Sequence, residues 1–347
     1  MTLAQRATSA TTLAHASYKT IDRMTQNLTA NSFVLTSEQS TDAPAGFDYS
    51  LKIACTTADT SLAATDRMMF LTRVEDKDLG HLEFGTAGAK SLTLSFYVKS
   101  NKTGIYQVNL WHNNASKFTS ATYTINSAST WERKTMTFHG DSSTLMANDN
   151  GAALQVEMIL LAGTNYTSGT INTSSTYAST ANTRAASQAV NIADSTSNTW
   201  QVTGMQLEAG TKASDFEHIP CDVNKLRCER YYQTLGYGHF AMYESGSTYV
   251  MNLPHRTTMR AIPSKGLLVT SNLRVRQFGT SDRDASSPSI SSSVGSNNGS
   301  YIKVTGFGSV GATSSPAGIG YTTSSDGSIS ITPSGGGGDA FYLEAEI

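Results

Sequence analysis

Alternation of apolar and polar residues is the dominant pattern between residues 47 and 161. In SLTLSFYVKS (91–100), Leu92, Leu94, Phe96 and Val98 share one face, and the intervening residues share the other. The stretches FDYSLKIAC, GIYQVNLWHN, WERKTMTFHG and ALQVEMILLAG have the same period of two. This is the period of a half-buried β-strand, and several such strands without a helical period between them predict a β-sandwich.

A different pattern occupies residues 220–236. Pro220 ends an extended segment, Asp222 is a suitable N-cap, and VNKLRCERYYQTLG favours a helix that ends at Gly236. Strand patterns then resume, with GHFAMY and TYVMNL flanking a hairpin turn, followed by KGLLVTS, YIKVTGFG, SISIT and AFYLEAEI among Ser/Gly-rich loops such as SGGGG. We therefore predict an all-β chain with an N-terminal arm (1–19), a β-sandwich (20–219), a short connecting helix (220–236) and a smaller C-terminal β-sandwich domain (237–347).

Two segments of the first region stand outside the strand pattern. The arm is expected either to dock on a neighbour or to form a disordered leader. Residues 162–199 form a long Ser/Thr/Asn/Ala stretch, and a loop of that length is usually functional or flexible. The stretch TWQVTGMQLEAG is predicted as the last strand of the sandwich.

Composition narrows the classes of partner. The 347 residues carry a net charge of −2 with 15% charged residues, and no basic run is present, so nucleic acid is not expected as a partner. No apolar run is long enough for a membrane span, and the first twenty residues show no secretory h-region. Three cysteines are too few for a disulfide framework and are predicted to be mostly buried thiols.

Motifs for metal, cofactor or nucleophilic chemistry are missing from the sequence. The seven histidines lack zinc-binding spacings, EDKDLG is a poor calcium loop, and no G-x-S-x-G occurs. We therefore predict no cofactor, no metal and no catalytic residues. Glu132, Glu157 and Glu208 leave a carboxylate pair for glycoside hydrolysis open as an alternative.

Polar and aromatic residues fall on the strand faces that point away from the predicted core. An aromatic ring can stack on a pyranose while amides and carboxylates read its hydroxyl groups. The candidate glycan-binding residues are Tyr97, Gln107, Asn109, Trp111, Gln155 and Glu157. The alternative is that this face packs against another subunit or against the 162–199 loop. Trp131 and Trp200 each begin a strand and are predicted as core anchors.

The segment from 204 to 232 carries a resemblance. GMQLEAGTKASDFEHIPCDVNKLRCERYYQ is similar to the Q-L-E-x-G … F-E-H-R-P-Y … C-x-R-Y-Y segment of phage tail-fibre and other phage structural proteins. The matching residues are Gln206, Leu207, Glu208, Gly210, Phe216, Glu217, His218, Pro220, Cys228, Arg230, Tyr231 and Tyr232. The sequence departs from that pattern at Ile219 and over 222–225. The preceding strands resemble a carbohydrate-binding-module-like jelly roll of tailed-phage virion proteins.

This resemblance implies a virion component that assembles in the host cytoplasm as a homotrimer, contacts other virion proteins and does not insert into a membrane. It implies that Gln206, Glu208, Phe216, Glu217, His218, Arg230, Tyr231 and Tyr232 form an interdomain junction. The predicted function is a non-enzymatic fibre or appendage on the tail or capsid that attaches to host surface glycans. The alternatives are a capsid decoration or brace protein without glycan binding, a capsule-degrading glycosidase, and a secreted glycan-binding module of a cell.

Overall fold

The computed structural model describes residues 1–30, 32–235, 241–245, 247–268, 273–275, 283–307, 332–333 and 341–346. The chain divides into two compact units, one from Met1 to Cys221 and the other from Asp222 to Glu346. Both units are built from antiparallel sheets, which confirms the all-β fold class. The predicted SGGGG loop lies outside the described residues, as do SISIT except for its last residue, the first three residues of GHFAMY and the last three of KGLLVTS.

The first unit is the predicted jelly-roll β-sandwich. Its strands are β1 (Thr11–Thr12), β2 (Met24–Thr29), β3 (Val34–Ser40), β4 (Ser50–Thr57), β5 (Arg67–Glu75), β6 (Leu92–Ser100), β7 (Gly104–His112), β8 (Lys117–Ile125), β9 (Glu132–Phe138), β10 (Ala152–Ala162) and β11 (Thr199–Ala209). Short helical segments are α1 (Thr164–Thr167) and 3-10 turns at Asp76–Asp78, Gly80–Leu82 and Ala181–Thr183. One sheet has the order β1-β3-β4-β11-β6-β9, and the other has the order β2-β5-β10-β7-β8.

The core of this sandwich is formed by the residues that the alternation selects. Leu94, Phe96 and Val98 of β6 face Val108 and Leu110 of β7 in one buried cluster between the sheets. Burial of such side chains contributes roughly 1.5–3 kcal/mol each. The inward faces of β6, β7 and β10 are therefore predicted correctly.

The two tryptophans predicted as core anchors differ in their burial. Trp200 is fully buried in the core, where its indole N–H donates to the Tyr123 hydroxyl at 3.2 Å. Trp131 precedes the edge strand β9. It lies outside the core and is only partly buried, so the prediction of a core anchor is wrong for this residue. An edge strand has one neighbour, and a residue on its outer face has no second sheet to cover it.

The N-terminal arm packs on its own sandwich. Thr11 and Thr12 pair with Thr36 and Ser37 of β3, and Leu13 is buried in the core. The side-chain amide of Gln5 donates to Asp22 at 3.0 Å, which anchors the arm further. The expectation of a disordered leader is therefore corrected, and docking on a neighbour stays a prediction.

The second unit begins with the helix predicted as a connector, α2 (Cys221–Glu229), which is shorter than expected. Its strands are β12 (Tyr232–Leu235), β13 (Ala241–Ser245), β14 (Thr248–Pro254), β15 (Ser264–Leu267), β16 (Leu273–Val275), β17 (Arg283–Gly295), β18 (Gly299–Phe307), β19 (Thr332–Pro333) and β20 (Phe341–Glu344). They form sheets of order β12-β20-β15 and β13-β14-β18-β17-β16-β19. The predicted helical run to Gly236 is corrected, because β12 pairs with β20 and the tertiary pairing outweighs local helix preference.

Candidate functional site

The outward face of the five-stranded sheet brings together five of the six candidate glycan-binding residues. β7 and β10 are paired, and this register places Asn109 opposite Glu157 and Trp111 opposite Gln155. Gln107 lies two residues from Asn109 on the same face, and its amide donates to the Asn109 side-chain oxygen at 2.9 Å. The sequence pattern thus identified a real cluster of polar groups on neighbouring strands.

The four polar members of this cluster are closed to solvent, whereas Trp111 stays partly exposed. Gln107, Asn109 and Glu157 are fully buried, and Gln155 is 5% exposed. They lie beneath residues 164–190, which we call the cover. The prediction of an open sugar platform is therefore wrong for this face, and its alternative, packing against the 162–199 loop, is confirmed. Alternation along a strand shows which side a residue faces, but it does not show whether another segment covers that side.

An ion pair holds the cover over the sheet. The Nε of Arg184 donates to Glu157 Oε2 at 2.9 Å, and a second guanidinium nitrogen pairs with Oε1. The guanidinium carbon lies 4.4 Å from the centre of the Trp111 ring, which is a cation–π distance. Gln155 and Asn109 donate to the same carboxylate at 2.6 and 3.1 Å. The buried Glu157 charge is thus compensated by one cation and two amides.

Backbone groups of the cover complete the polar network. The Gln107 amide donates to the carbonyl oxygens of Thr183 and Arg184, and its side-chain oxygen accepts from the Ser187 N–H at 2.9 Å. Ala178 pairs with Phe118 at the edge strand β8. The cover is therefore bonded to the face along its length.

Apolar contacts add to this attachment. Met69, Leu71 and Ile159 on the sheet pack with Ala185 of the cover in a separate buried cluster, and Tyr166 packs against it. Lifting the cover would expose these side chains to water, which the hydrophobic effect opposes. The cover is therefore a third layer of the jelly roll.

The sixth candidate, Tyr97, lies on the other sheet. It belongs to β6, and its outward ring is 5.3 Å from the ring of Phe47 in the 41–49 loop. Strand faces alone do not tell which of two sheets a strand joins. Tyr97 is therefore removed from the polar cluster and assigned to the surface described next.

Part of the junction motif forms a clasp on this outer face of the six-stranded sheet. The Gln206 side chain donates to Ser214 Oγ at 2.9 Å and accepts from the Glu217 N–H at 2.8 Å. Glu208 accepts from the Ser214 N–H at 3.1 Å and from its hydroxyl, and these bonds lower the pKa of Glu208. We call residues 214–218, held in this way, the clasped segment.

Aromatic rings hold the same segment. Phe47 lies 5.0 Å from Phe216 and 5.3 Å from His218, measured between ring centres. Gly204, at a φ of +58°, sits beneath them, and an added Cβ would lie 2.6 Å from Phe47. The bulge in β11 between Thr203 and Gln206 therefore makes room for the Phe47 ring.

The remaining motif residues are bonded within the second unit. The Tyr231 carbonyl accepts from the Ala345 N–H at 2.7 Å, and the Arg230 carbonyl accepts from the Arg260 N–H at 2.9 Å. The Tyr232 ring stacks on Tyr342 with centres 5.9 Å apart. The motif thus contains two sets of local contacts, one in each unit, and its role as a single junction stays a prediction.

The three carboxylates left open for hydrolysis lie in separate environments. Glu157 is buried beneath the cover, and Glu208 belongs to the clasp. Glu132 is on the edge strand β9, where desolvation raises its pKa but hydrogen bonds from Lys134, Ser127 and Asn126 outweigh this and lower it to about 2. Each carboxylate accepts hydrogen bonds from neighbours of its own.

Arg184 and Asp42 were not selected by the sequence analysis. Arg184 is the one cationic residue between 162 and 199, and this isolation was a usable signal. Asp42 had no such signal, because an aspartate in a loop is common and does not by itself indicate a site.

Within the described ranges, no group of three or more His, Cys, Asp or Glu residues is arranged to hold a metal ion. Among the same residues, no helix has the length and apolarity needed to cross a membrane.

Comparison with known proteins assigns no family. No family model matches the chain. No curated protein matches it either. Similar solved structures include the carbohydrate-binding module CBM4, at 16% identity and a TM-score of 0.27, covering 50% of this chain and 77% of that one. The family 11 carbohydrate-binding module of a cellulosomal cellulase from Clostridium thermocellum has 10% identity and a TM-score of 0.30, with coverage of 60% and 98%.

The enzymatically active domain of tailspike protein 4 from bacteriophage CBA120 is also similar. The identity is 8% and the TM-score 0.28, and the match covers 54% of this chain and 19% of that one. The chain thus spans about a fifth of that protein's length. At such scores, function has to be argued from the residues of this chain.

Proposed function

We propose that this protein is a non-enzymatic structural component of a tailed-phage virion, an appendage on the tail or capsid whose jelly roll serves as a brace. The proposal combines the resemblance of the 204–232 segment to phage structural proteins with the bonding of that segment. Gln206, Glu208 and Phe216 are occupied in holding the clasped segment to the sheet. Residues engaged in this way stabilise a module.

The observation that carries the proposal is the closed face beneath the cover. A ligand-binding sheet keeps polar groups available, whereas Glu157, Asn109 and Gln107 are buried and bonded to one another and to the cover. A cover attached by an ion pair, amide bonds and an apolar cluster resists displacement. The brace alternative is therefore favoured over glycan attachment at this face.

The hydrolase alternative receives no support from the carboxylates that suggested it. Glu132, Glu157 and Glu208 each accept hydrogen bonds from their own neighbours. A glycosidase needs two carboxyl groups about 5–9.5 Å apart across a bound sugar. We therefore propose a protein without hydrolytic activity, assembled in the host cytoplasm as a homotrimer and incorporated into the virion.

The proposal is tested by locating the protein in the phage particle. Purified phage particles are analysed by mass spectrometry for peptides of this chain and by electron microscopy with a labelled antibody, and the purified chain is sized by light scattering. We expect a fixed number of copies per particle at a defined position and a trimeric mass. Absence from washed particles, or release of reducing sugar from host capsule by the pure chain, would overturn the proposal.

A further inference from the structure

Trp131 lies on the outer face of the six-stranded sheet with its indole orientation set by a hydrogen bond. Its Nε1–H donates to Asp42 Oδ1 at 3.1 Å, and the ring is only partly buried. Because the polar edge of the indole is already satisfied, the remaining accessible surface of the ring is apolar. A partly exposed aromatic ring held in place in this way is suited to stacking against a flat apolar surface.

Asp42 connects the ring to a fixed set of polar groups. Its Oδ2 accepts from Lys99 Nζ at 2.7 Å and from Gln201 Nε2 at 3.1 Å. Burial raises the pKa of Asp42, but these bonds and the one from Trp131 prevail and lower it. The carboxylate is still 43% exposed, so it keeps lone pairs that can accept from a ligand hydroxyl.

Charges around the ring are balanced. Lys99 pairs with Asp42 at 2.7 Å, Lys134 pairs with Glu132, and Arg133 lies 3.9 Å from Asp215. A charged ligand would have to compete with these pairs, whereas a neutral ligand with hydroxyl groups would not. An aromatic face beside oriented acceptors and donors is the composition that binds the apolar face and the hydroxyl groups of a sugar ring.

From this arrangement, we propose that Trp131, Asp42 and Lys99 form a binding site for a neutral saccharide. The sugar ring stacks on the indole, and its hydroxyl groups donate to Asp42 and accept from Lys99. The site lies on the sheet opposite the one closed by the cover. It goes beyond the brace role, and it is compatible with an appendage that meets a host surface, where several copies would raise a weak affinity.

The test follows the three indole N–H resonances of the full chain by NMR. Neutral tetrasaccharides of glucose, galactose, mannose and N-acetylglucosamine are added, and a sulfated oligosaccharide serves as the charged comparison. We expect at least one neutral sugar to shift the Trp131 resonance in a saturable manner, while that of Trp200, fully buried in the core, stays unchanged. Trp111 is also partly exposed, but its ring already stacks on Phe118 and contacts the Arg184 guanidinium, so its resonance should stay unchanged too.

Variants distinguish a loss of sugar binding at this site from a loss of folding. Trp131→Ala is expected to weaken binding about tenfold and Trp131→Phe by less, since a smaller ring keeps part of the stacking. Asp42→Asn keeps an acceptor for the indole but loses the charge, and it should also weaken binding. Leu145→Ala, at a side chain 67% exposed elsewhere on the unit, should bind like the unmodified chain.

Three outcomes would overturn the site. These are no shift with any neutral tetrasaccharide at millimolar concentration, unchanged binding by Trp131→Ala, and binding of the sulfated oligosaccharide alone. Recognition of a protein partner through Trp131 with no response to sugars would do the same. Because the titration uses the pure chain, its failure leaves the particle experiment and the structural role untouched.

Discussion

The ion pair beneath the cover allows a quantitative test of the three-layer structure. Arg184→Met removes the guanidinium and leaves the fully buried Glu157 without its cation. Removing one partner of a buried pair costs about 3–5 kcal/mol. Gln155 and Asn109 still donate to the carboxylate, and Arg184 is 15% exposed, so water can reach the site. We therefore expect a loss near the lower limit, about 3 kcal/mol.

Two assays on the full chain measure this loss. For a unit of 150–250 residues, each kcal/mol shifts the melting temperature by about 2–4 °C, so a decrease of about 6–12 °C is expected in the transition of the first unit. Hydrogen exchange read by mass spectrometry should rise in peptides from residues 164–190.

The matched control is a solvent-exposed ion pair in the same unit. Lys52 pairs with Glu38 at 2.8 Å with both side chains 30% exposed, and Lys52→Met should cost less than about 1 kcal/mol. Combining Arg184→Met with Glu157→Gln should recover part of the loss. If Arg184→Met melts with the unmodified chain and leaves exchange of the cover unchanged, the pair does not hold the cover and the reasoning is wrong.

Three further predictions concern the outer face. Phe216→Ala should raise proteolytic cleavage within 211–218, whereas Leu145→Ala should not; equal cleavage would show that the ring does not hold the segment. Gly204→Ala should destabilise the first unit by about 1–3 kcal/mol in denaturant titration, because the position has φ +58° and the added Cβ meets Phe47. Glu132, with its pKa lowered to about 2, contributes stability above its ordinary pKa of 4.5 that is lost as pH falls towards 2. Glu132→Gln should therefore flatten the acid side of a stability–pH curve, and an unchanged curve would contradict this account.

The sequence was sufficient to predict the strands of the first unit and which of their faces point into the core. Leu94, Phe96 and Val108 were selected by alternation alone, because a strand with one face in a core must place apolar residues at every second position. The same rule located Gln107 and Glu157 on one outward face. It left open whether this face is covered by the 162–199 loop, because periodicity along a strand does not show what packs against it.

The junction motif shows where sequence reasoning stops. The bonds of Gln206 to Ser214 and of Tyr231 to Ala345 belong to different units, so the role of the motif as one junction stays a prediction. A sequence motif shows that certain residues occur together along a chain, but it does not show which residues they contact in the folded structure. The helix predicted to reach Gly236 failed for a similar reason, because pairing of β12 with a strand more than a hundred residues later decided its state.

By itself, the sequence determined the all-β class and the inward faces of β6, β7 and β10, because these depend on local periodicity. Tertiary structure alone decided which polar face is closed, which sheet carries Tyr97, and that Trp131 lies outside the core with its indole bonded to Asp42. These features depend on contacts between segments far apart in the chain. Such contacts form only when burial and hydrogen bonding together offset the entropy of ordering the loops that make them.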